Sequence, residues 1–260
     1  MPGRVRLGRI EIDALDTSEA IDAIEALVRA RRGGAVFTPN VDHLVRLERD
    51  AALRVAYEAA DLRLADGMPL VWAARLAGTP VPERVAGADL VVPLARRAAA
   101  RGWRVYLLGG PPGIAARAAA ALALLGVVVA GYDAPWIDDS REGRARARDA
   151  AARVSAARPD LLYVGLGAPK QELWMDRHRD AIRPAVAVAV GASLSYLAGA
   201  LPRAPRWVSR SGLEWLFRLA CEPRRLWRRY LVDGVAFLPI LLRTLHEAEG
   251  RAARGPSAIV

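Results

Sequence analysis

LLYVGLGAPKQELWM, residues Leu161–Met175, is the stretch that decides how the rest of the chain is read. An apolar run meets a Gly-x-Gly turn, a proline follows, and from Lys170 the spacing turns helical. A short apolar run bounded by glycine fits a strand buried on both faces, and a helix directly after it fits a crossover in a parallel sheet. Lys170 is the single lysine in a chain whose Lys+Arg total is 38. It stands with Gln171 and Glu172 at the mouth of a strand–loop–helix turn, which is where open parallel sheets bind their ligands.

The same alternation extends in both directions. Upstream, RVRLGRIEIDAL reads as a strand or hairpin, and DTSEAIDAIEALVRARRGG as a helix opened by an Asp16–Glu19 capping box and closed near Gly33. GAVFTPN is a strand broken at Pro39, followed by helices in VDHLVRLERD and AALRVAYEAA. LRLADGMPLVWAARLAG gives a short strand, a turn at Asp66–Gly67 and a helix. Helix GADLVVPLARRAAARG leads to strand WRVYLLGG, helix GIAARAAAALALLG, strand VVVAGYDA and helix REGRARARDAAARVSAARP. After the opening stretch comes the strand AVAVAVGA. Near-continuous Val/Leu strands alternating with helices predict an α/β fold: a parallel-sheet Rossmann-like core covered by helices on both faces. From about Pro202 proline, tryptophan and arginine dominate and the pattern is helical only. The expected division is a core over 1–201 and a basic helical appendage over 202–260. A chain cut near residue 200 is expected to keep a folded core, since every predicted strand precedes the cut.

A length of 260 residues is enough to bury a full core. No run of about 18 apolar residues without charge predicts a membrane span, and MPGRVRLGRIEID has no apolar segment of the signal-peptide kind. The lone Cys221 excludes an internal disulfide and a cysteine metal cluster. The expected location is a bacterial-type cytoplasm or its membrane surface. The net charge of +10 is unevenly spread. Arg203, Arg206, Arg210, Arg218, Arg224, Arg225, Arg228 and Arg229 face only Glu214 and Glu222 over the same stretch, a net +6.

Four strand ends carry residues fit for chemistry: Thr38 and Asn40 in FTPN, Asp66 in LADG, Gly109, Gly110 and Gly113 in YLLGGPPG, and Gly165, Gly167, Lys170, Gln171 and Glu172 in VGLGAPKQE. Gly191 ends the last strand. Glycine loops let backbone N–H groups approach an anion at a helix N-terminus. Each feature also has a plain structural reading: tight turns for the glycines, a helix N-cap for Asp66, and Asx or Ser/Thr turns for Thr38 and Asn40. His43, His178 and His246 lack metal spacing and read as surface or capping groups; Asp138–Asp139 reads as a helix cap. No metal site, no Walker lysine and no nucleophile elbow is found.

TPNVDH, LADGMPLVWAARLAG, ERVAGADL, VYLLGGPPG, VGLGAPKQELWM and RAPRWVSRSGLEWLFRLACEPRRLWRRY, taken in order, resemble the WecG/TagA/CpsF glycosyltransferases over roughly residues 5–240. The resemblance implies an inverting transfer of a sugar, N-acetylmannosamine or its uronic acid, from a UDP donor to an undecaprenyl-diphosphate-linked acceptor, without cofactor or metal. It implies a peripheral location on the inner membrane face, partners that include an anionic membrane surface but no nucleic acid, and leaves a homo-oligomer open. Carried over, Asp66 is the general base, Thr38 and Asn40 hold the sugar or acceptor hydroxyl, and Arg84 steadies the departing diphosphate. Gln171 suits a uracil edge or sugar hydroxyl, Lys170 places a point charge near the diphosphate, and Glu172 and Gly191 line the donor pocket. The tail arginines bind the lipid diphosphate and, with Trp207, Trp215, Trp227 and Tyr230, the membrane interface; core packing is the alternative for LVDGVAFLPILL. The family usually shows Phe-Asp where this chain has Leu194 and Ser195.

Two other readings compete on residues alone. A nicotinamide-dependent oxidoreductase would use the YLLGG turn and an acidic residue about 20 positions on, near Asp133; the missing third glycine counts against it. A nucleic-acid-binding protein would use the arginine–tryptophan tail and show a steep salt dependence.

Overall fold

The computed structural model describes residues 3–202, 204, 208, 213–221 and 223–253. The chain opens with an antiparallel hairpin, β1 (Arg4–Leu7) and β2 (Ile10–Asp13). Helix α1 (Thr17–Ala30) begins on the predicted capping box: the Asp16 side chain accepts from Glu19 N–H and the Glu19 side chain from Asp16 N–H. It ends on Arg31 in a left-handed conformation, two residues before Gly33.

The central sheet has six strands: β3 (Gly34–Phe37), β4 (Leu62–Arg63), β5 (Arg104–Gly109), β6 (Val128–Asp133), β7 (Leu161–Gly165) and β8 (Val186–Ala189). All pair in parallel, in the order β4-β3-β8-β7-β5-β6. Between them lie α2 (Val41–Leu47), α3 (Ala51–Glu58), α4 (Met68–Leu76), α5 (Gly87–Arg101), α6 (Ile114–Leu124), α7 (Arg141–Ala157), α8 (Lys170–Arg177) and α9 (Arg179–Ile182). Helices α10 (Ser193–Leu197), α11 (Glu214–Cys221) and α12 (Pro223–Ala253) follow β8.

Strand side chains alternate between two cores, as the period of two demands. Phe37, Tyr106, Leu108, Leu162 and Val164 pack on one side with the hairpin and helices α2, α3, α7 and α8. Val36, Val105, Leu107, Leu161, Tyr163, Val186 and Val188 pack on the other with α1, α5, α6 and α10. This is the expected Rossmann-like core with helices on both faces. Burial on both sides explains why LLYV and VAVA read as continuous apolar runs.

The connection after β5 leads outward to β6, whereas that after its neighbour β7 leads the other way, to β8. Opposite departures open a crevice at the carboxyl ends of β5 and β7, the switch point where such sheets hold ligands.

The end of the chain packs against the core, the alternative considered for LVDGVAFLPILL. Helix α12 lies against α2 and β1, and its Phe237, Ile240 and Thr244 are buried. The Thr244 hydroxyl accepts from Gly8 N–H at 3.0 Å, and the Arg243 guanidinium pairs with Glu48. The second half of the tail therefore packs into the core, and every described strand precedes it.

Candidate active site

The two glycine loops at the switch point depend on the absence of side chains. Gly109 has φ +108°, and a Cβ there would lie 2.6 Å from the carbonyl carbon and oxygen of Gly165. Gly110 N–H donates to Gly165 carbonyl at 3.0 Å. A Cβ on Gly165 would in turn lie 2.8 Å from the Gly191 carbonyl oxygen. Backbones after β5, β7 and β8 thus run in direct contact.

The expected residues outside the tail lie at or just past the carboxyl ends of β3, β4, β5, β7 and β8, or, for Arg84, before α5. Thr38, just past β3, is buried, and its hydroxyl donates to the Ala189 carbonyl at 3.2 Å. Asn40 caps α2: its side-chain oxygen accepts from Asp42 N–H, and its own N–H donates to His43 Nδ1 at 3.2 Å. The turn reading of Asn40 therefore holds in full. For Asp66 it does not, because the N-cap of α4 is Gly67 and no side chain caps it. The Asp66 N–H instead donates to the Pro39 carbonyl, which anchors the residue beside the end of β3. Its carboxylate stays about a quarter exposed (23%) and lies 3.8 Å from Arg84 Nη1.

Arg84 also pairs with Asp89 at 2.6 Å, so one guanidinium stands between two carboxylates. Asp89 escaped the sequence reading, although it sits inside the quoted ERVAGADL. Gly87 lets the start of α5 close in: a Cβ there would meet the Ala189 carbonyl at 3.1 Å and Thr38 Oγ1 at 3.3 Å.

The PKQE turn divides by destination. Lys170 Nζ donates to the Ile137 carbonyl at 3.0 Å and lies 5.2 Å from the centre of the Trp136 ring. It clasps the loop between β6 and α7. Gln171 is buried; its Oε1 accepts from Gly191 N–H at 3.1 Å and its Nε2 donates to Glu172 Oε1 at 2.8 Å. Glu172 is fully buried and also faces His43 Nε2 at 3.3 Å. These two side chains bind other residues of the protein, where the resemblance implied direct contact with the donor. Gly167, with φ +77° and open space around its Cα, leaves the turn uncovered.

His43 is the residue the sequence reading undervalued. It does cap α2, as expected, but it is also buried and paired with a carboxylate 129 positions away. His178 is half-buried where α8 meets α9, and burial, followed by the Arg177 and Arg148 charges, pushes its pKa down. Tyr57 packs its ring 5.0 Å from Phe37 and 6.2 Å from His43. Burial first, then the Glu172, Asp42 and Asp66 carboxylates, drive its pKa well above the usual phenol value. The phenol therefore stays protonated in a region of negative potential.

At the family's Phe-Asp position, Leu194 is fully buried, within 2.9 Å of where a Gly165 Cβ would stand, and Ser195 is buried in α10. Asp133, at the end of β6, is held by Arg153 at 2.5 Å. Among the described residues no group of three or more His, Cys, Asp or Glu is placed to hold a metal ion. Arg203, Arg206 and Arg210 lie outside the described residues, as do the side chains of Arg218, Arg225 and Arg228; Arg224 is exposed on α12.

A partly exposed carboxylate beside a guanidinium, at the carboxyl edge of a parallel sheet, is suited to moving a proton while an anionic group departs nearby. The chain is 31% identical over 202 residues to the N-acetylglucosaminyldiphosphoundecaprenol N-acetyl-beta-D-mannosaminyltransferase of Bacillus spizizenii strain W23, covering 77% of this chain and 76% of that protein. Residues 5–251 match the model of the glycosyl transferase WecG/TagA/CpsF family. With a match this long and a relative this similar, the chain belongs to that family of glycosyltransferases.

Proposed function

We propose that the protein transfers an N-acetylmannosamine-type sugar from a UDP donor to an undecaprenyl-diphosphate-linked N-acetylglucosamine, with inversion and without a metal. The observation that carries this reading is the Asp66–Arg84 pair at the carboxyl edge of the sheet. Asp66 takes the proton of the acceptor hydroxyl as that oxygen bonds to the anomeric carbon. The bond from that carbon to the UDP oxygen breaks on the opposite face, and UDP leaves with the electron pair. Arg84 supplies positive charge for the diphosphate; Gly167, where a side chain would meet open space, allows it close approach, and Gly109 and Gly110 shape the neighbouring turn. Gly191 lines the donor side. Thr38 and Asn40, at the end of β3, hold the sugar or acceptor hydroxyl near Asp66.

The tail docks the protein on the inner face of the plasma membrane. No described helix is long and apolar enough to cross a bilayer. Leu213, Trp215, Leu216 and Trp227 are nonetheless exposed on α11, its approach and the start of α12. Further along α12, Val235, Leu238 and Leu242 are exposed opposite the buried Phe237 and Ile240. Exposed tryptophans among arginines suit an interfacial helix, each arginine contributing about 1 kcal/mol near anionic lipid. Arg203, Arg206, Arg210, Arg218, Arg224, Arg225 and Arg228 then gather the acceptor diphosphate. Neither competing reading keeps support: family membership makes the chain a glycosyltransferase, and Asp133 is engaged by Arg153.

The test is transfer from a panel of UDP-sugars to a short-chain diphosphate-linked N-acetylglucosamine, with chelator in excess. Product with inverted configuration is expected from the N-acetylmannosamine donor. Loss of all activity in chelator, restored by magnesium or manganese, would overturn metal independence. Activity with a different donor only would overturn the sugar assignment.

A further inference from the structure

We infer that Glu172 and His43 are positioning residues: one buried carboxylate, shared between a histidine and a glutamine, holds three strand-end loops of the active site in register. The inference deepens the transferase reading above and rests on it for its kinetic readout only. Glu172 is 0% exposed and cannot touch a substrate, so whatever it does passes through its neighbours. Its Oε1 accepts from Gln171 Nε2 at 2.8 Å and faces His43 Nε2 at 3.3 Å. A carboxylate acceptor places an imidazole proton on Nε2, and Nδ1 meets Asn40 in either role, 3.2 Å from its N–H nitrogen and 2.9 Å from its Oδ1. On the other side, Gln171 Oε1 accepts the Gly191 N–H at 3.1 Å. The hydrogen bonds therefore run Gly191, Gln171, Glu172, His43, Asn40, and they join the loops after β8, β7 and β3. The next contact reaches the proposed base, because the Pro39 carbonyl, one residue before Asn40, accepts the Asp66 N–H at 2.8 Å.

Stability alone is a poor account of this arrangement. Glu172 Oε2 is buried with no hydrogen-bond partner among the described residues. A buried carboxylate with half its acceptor capacity unmet is costly, and an apolar side chain of the same volume is often neutral or stabilising. What the apolar side chain cannot do is accept two donors at one point. The contribution of Glu172 is then to geometry, and an isosteric apolar replacement separates geometry from stability.

The experiment compares wild type, Glu172→Gln, Glu172→Met and His43→Leu by amide hydrogen exchange at Gly191 and Asn40, by melting temperature, and by kcat and KM for the UDP-sugar. Glu172→Gln keeps one shared oxygen and should retain protection at both amides and near wild-type kcat. Glu172→Met should lose about tenfold protection at both amides, the scale of one hydrogen bond, and at least as much in kcat. Its melting temperature should not fall. His43→Leu should loosen Asn40 and spare Gly191. Unchanged exchange at both amides in Glu172→Met overturns the inference, as does a kcat loss that merely follows a loss of folded protein. If Glu172→Met does not fold, His43→Leu decides alone: unchanged exchange at Asn40 overturns the inference. If wild type transfers no sugar, the transferase reading fails by itself, and amide exchange still decides the positioning role.

Discussion

Two carboxylates near the end of β3 differ in access to solvent, and the roles proposed for them follow that difference. Asp66 keeps 23% of its side chain exposed beside Arg84, whereas Glu172 is sealed. Only the first can meet an acceptor hydroxyl. Asp66→Asn keeps the shape and cannot take a proton, so transfer should fall by roughly 10²–10⁴-fold while UDP-sugar binding by calorimetry stays near wild type. A variant retaining more than about a tenth of the rate would remove Asp66 as base. Tyr57 allows a cleaner test of buried polarity. Its hydroxyl has no hydrogen-bond partner among the described residues, yet its ring packs against Phe37 and His43. Tyr57→Phe should leave stability unchanged or raise it by about 1 kcal/mol in urea titration, since an unsatisfied buried hydroxyl is a cost. A marked loss would reveal a bond from that hydroxyl to a group outside the described residues.

At the scale of the element, the glycine turns do different jobs at similar dihedral angles. Gly109 and Gly167 both have positive φ, at +108° and +77°. A side chain at Gly109 would strike the Gly165 backbone at 2.6 Å, whereas one at Gly167 would meet nothing within 4 Å. Gly167→Ala should therefore cost only conformational strain, about 1–2 kcal/mol. Gly109→Ala adds a backbone clash between β5 and β7 that no rotamer relieves. It should be the more destabilising by at least about 2 kcal/mol in the same denaturation assay, and equal effects would contradict the close approach of the two loops. The capping box of α1 was readable because its two partners lie three residues apart. The Asn40 cap was readable for the same reason; the further bond from His43 to Glu172 was not.

For the whole molecule, the question is how the basic tail is held. Helix α12 buries Phe237 and Ile240 against α2 and the hairpin, and each fully buried large apolar side chain contributes about 1.5–3 kcal/mol. A chain ending at residue 201 should thus unfold at lower urea concentration than the full chain, besides losing liposome binding. Equal midpoints would mean that α12 adds nothing to the core. The docking should also depend on pH through Glu48. Burial raises the Glu48 pKa, but hydrogen bonds and charge from Arg243 and Arg9 outweigh it, and the net shift is downward. A carboxyl with a depressed folded pKa contributes stability above its unfolded value, about 4.3. That contribution is lost as pH falls through the lower folded value. The stability gap between wild type and Glu48→Gln should therefore be full near neutrality and shrink below about pH 4. A gap that is constant down to pH 3 would show that the Arg243–Glu48 pair does not hold the helix.

What the sequence determined by itself was local. Apolar period set the strands and helices of the sheet, Gly-x-Gly marked the end of β7, and Asp16 with Glu19 started α1, because each signal lies within one or two turns of chain. The motifs also named the family. Only the tertiary structure decided which of their residues meet substrate-accessible space. Lys170, Gln171 and Glu172 are adjacent in sequence, yet one clasps the β6–α7 loop, one tethers Gly191 and one is sealed against His43. The composition of the tail marked a basic helical appendage; that Thr244 accepts a bond from Gly8 across 236 residues was not legible there. Contacts at such separations leave no trace in local periodicity. They arise when the sheet order brings distant strand ends together, and when a buried polar atom must find its partner wherever the fold has placed one.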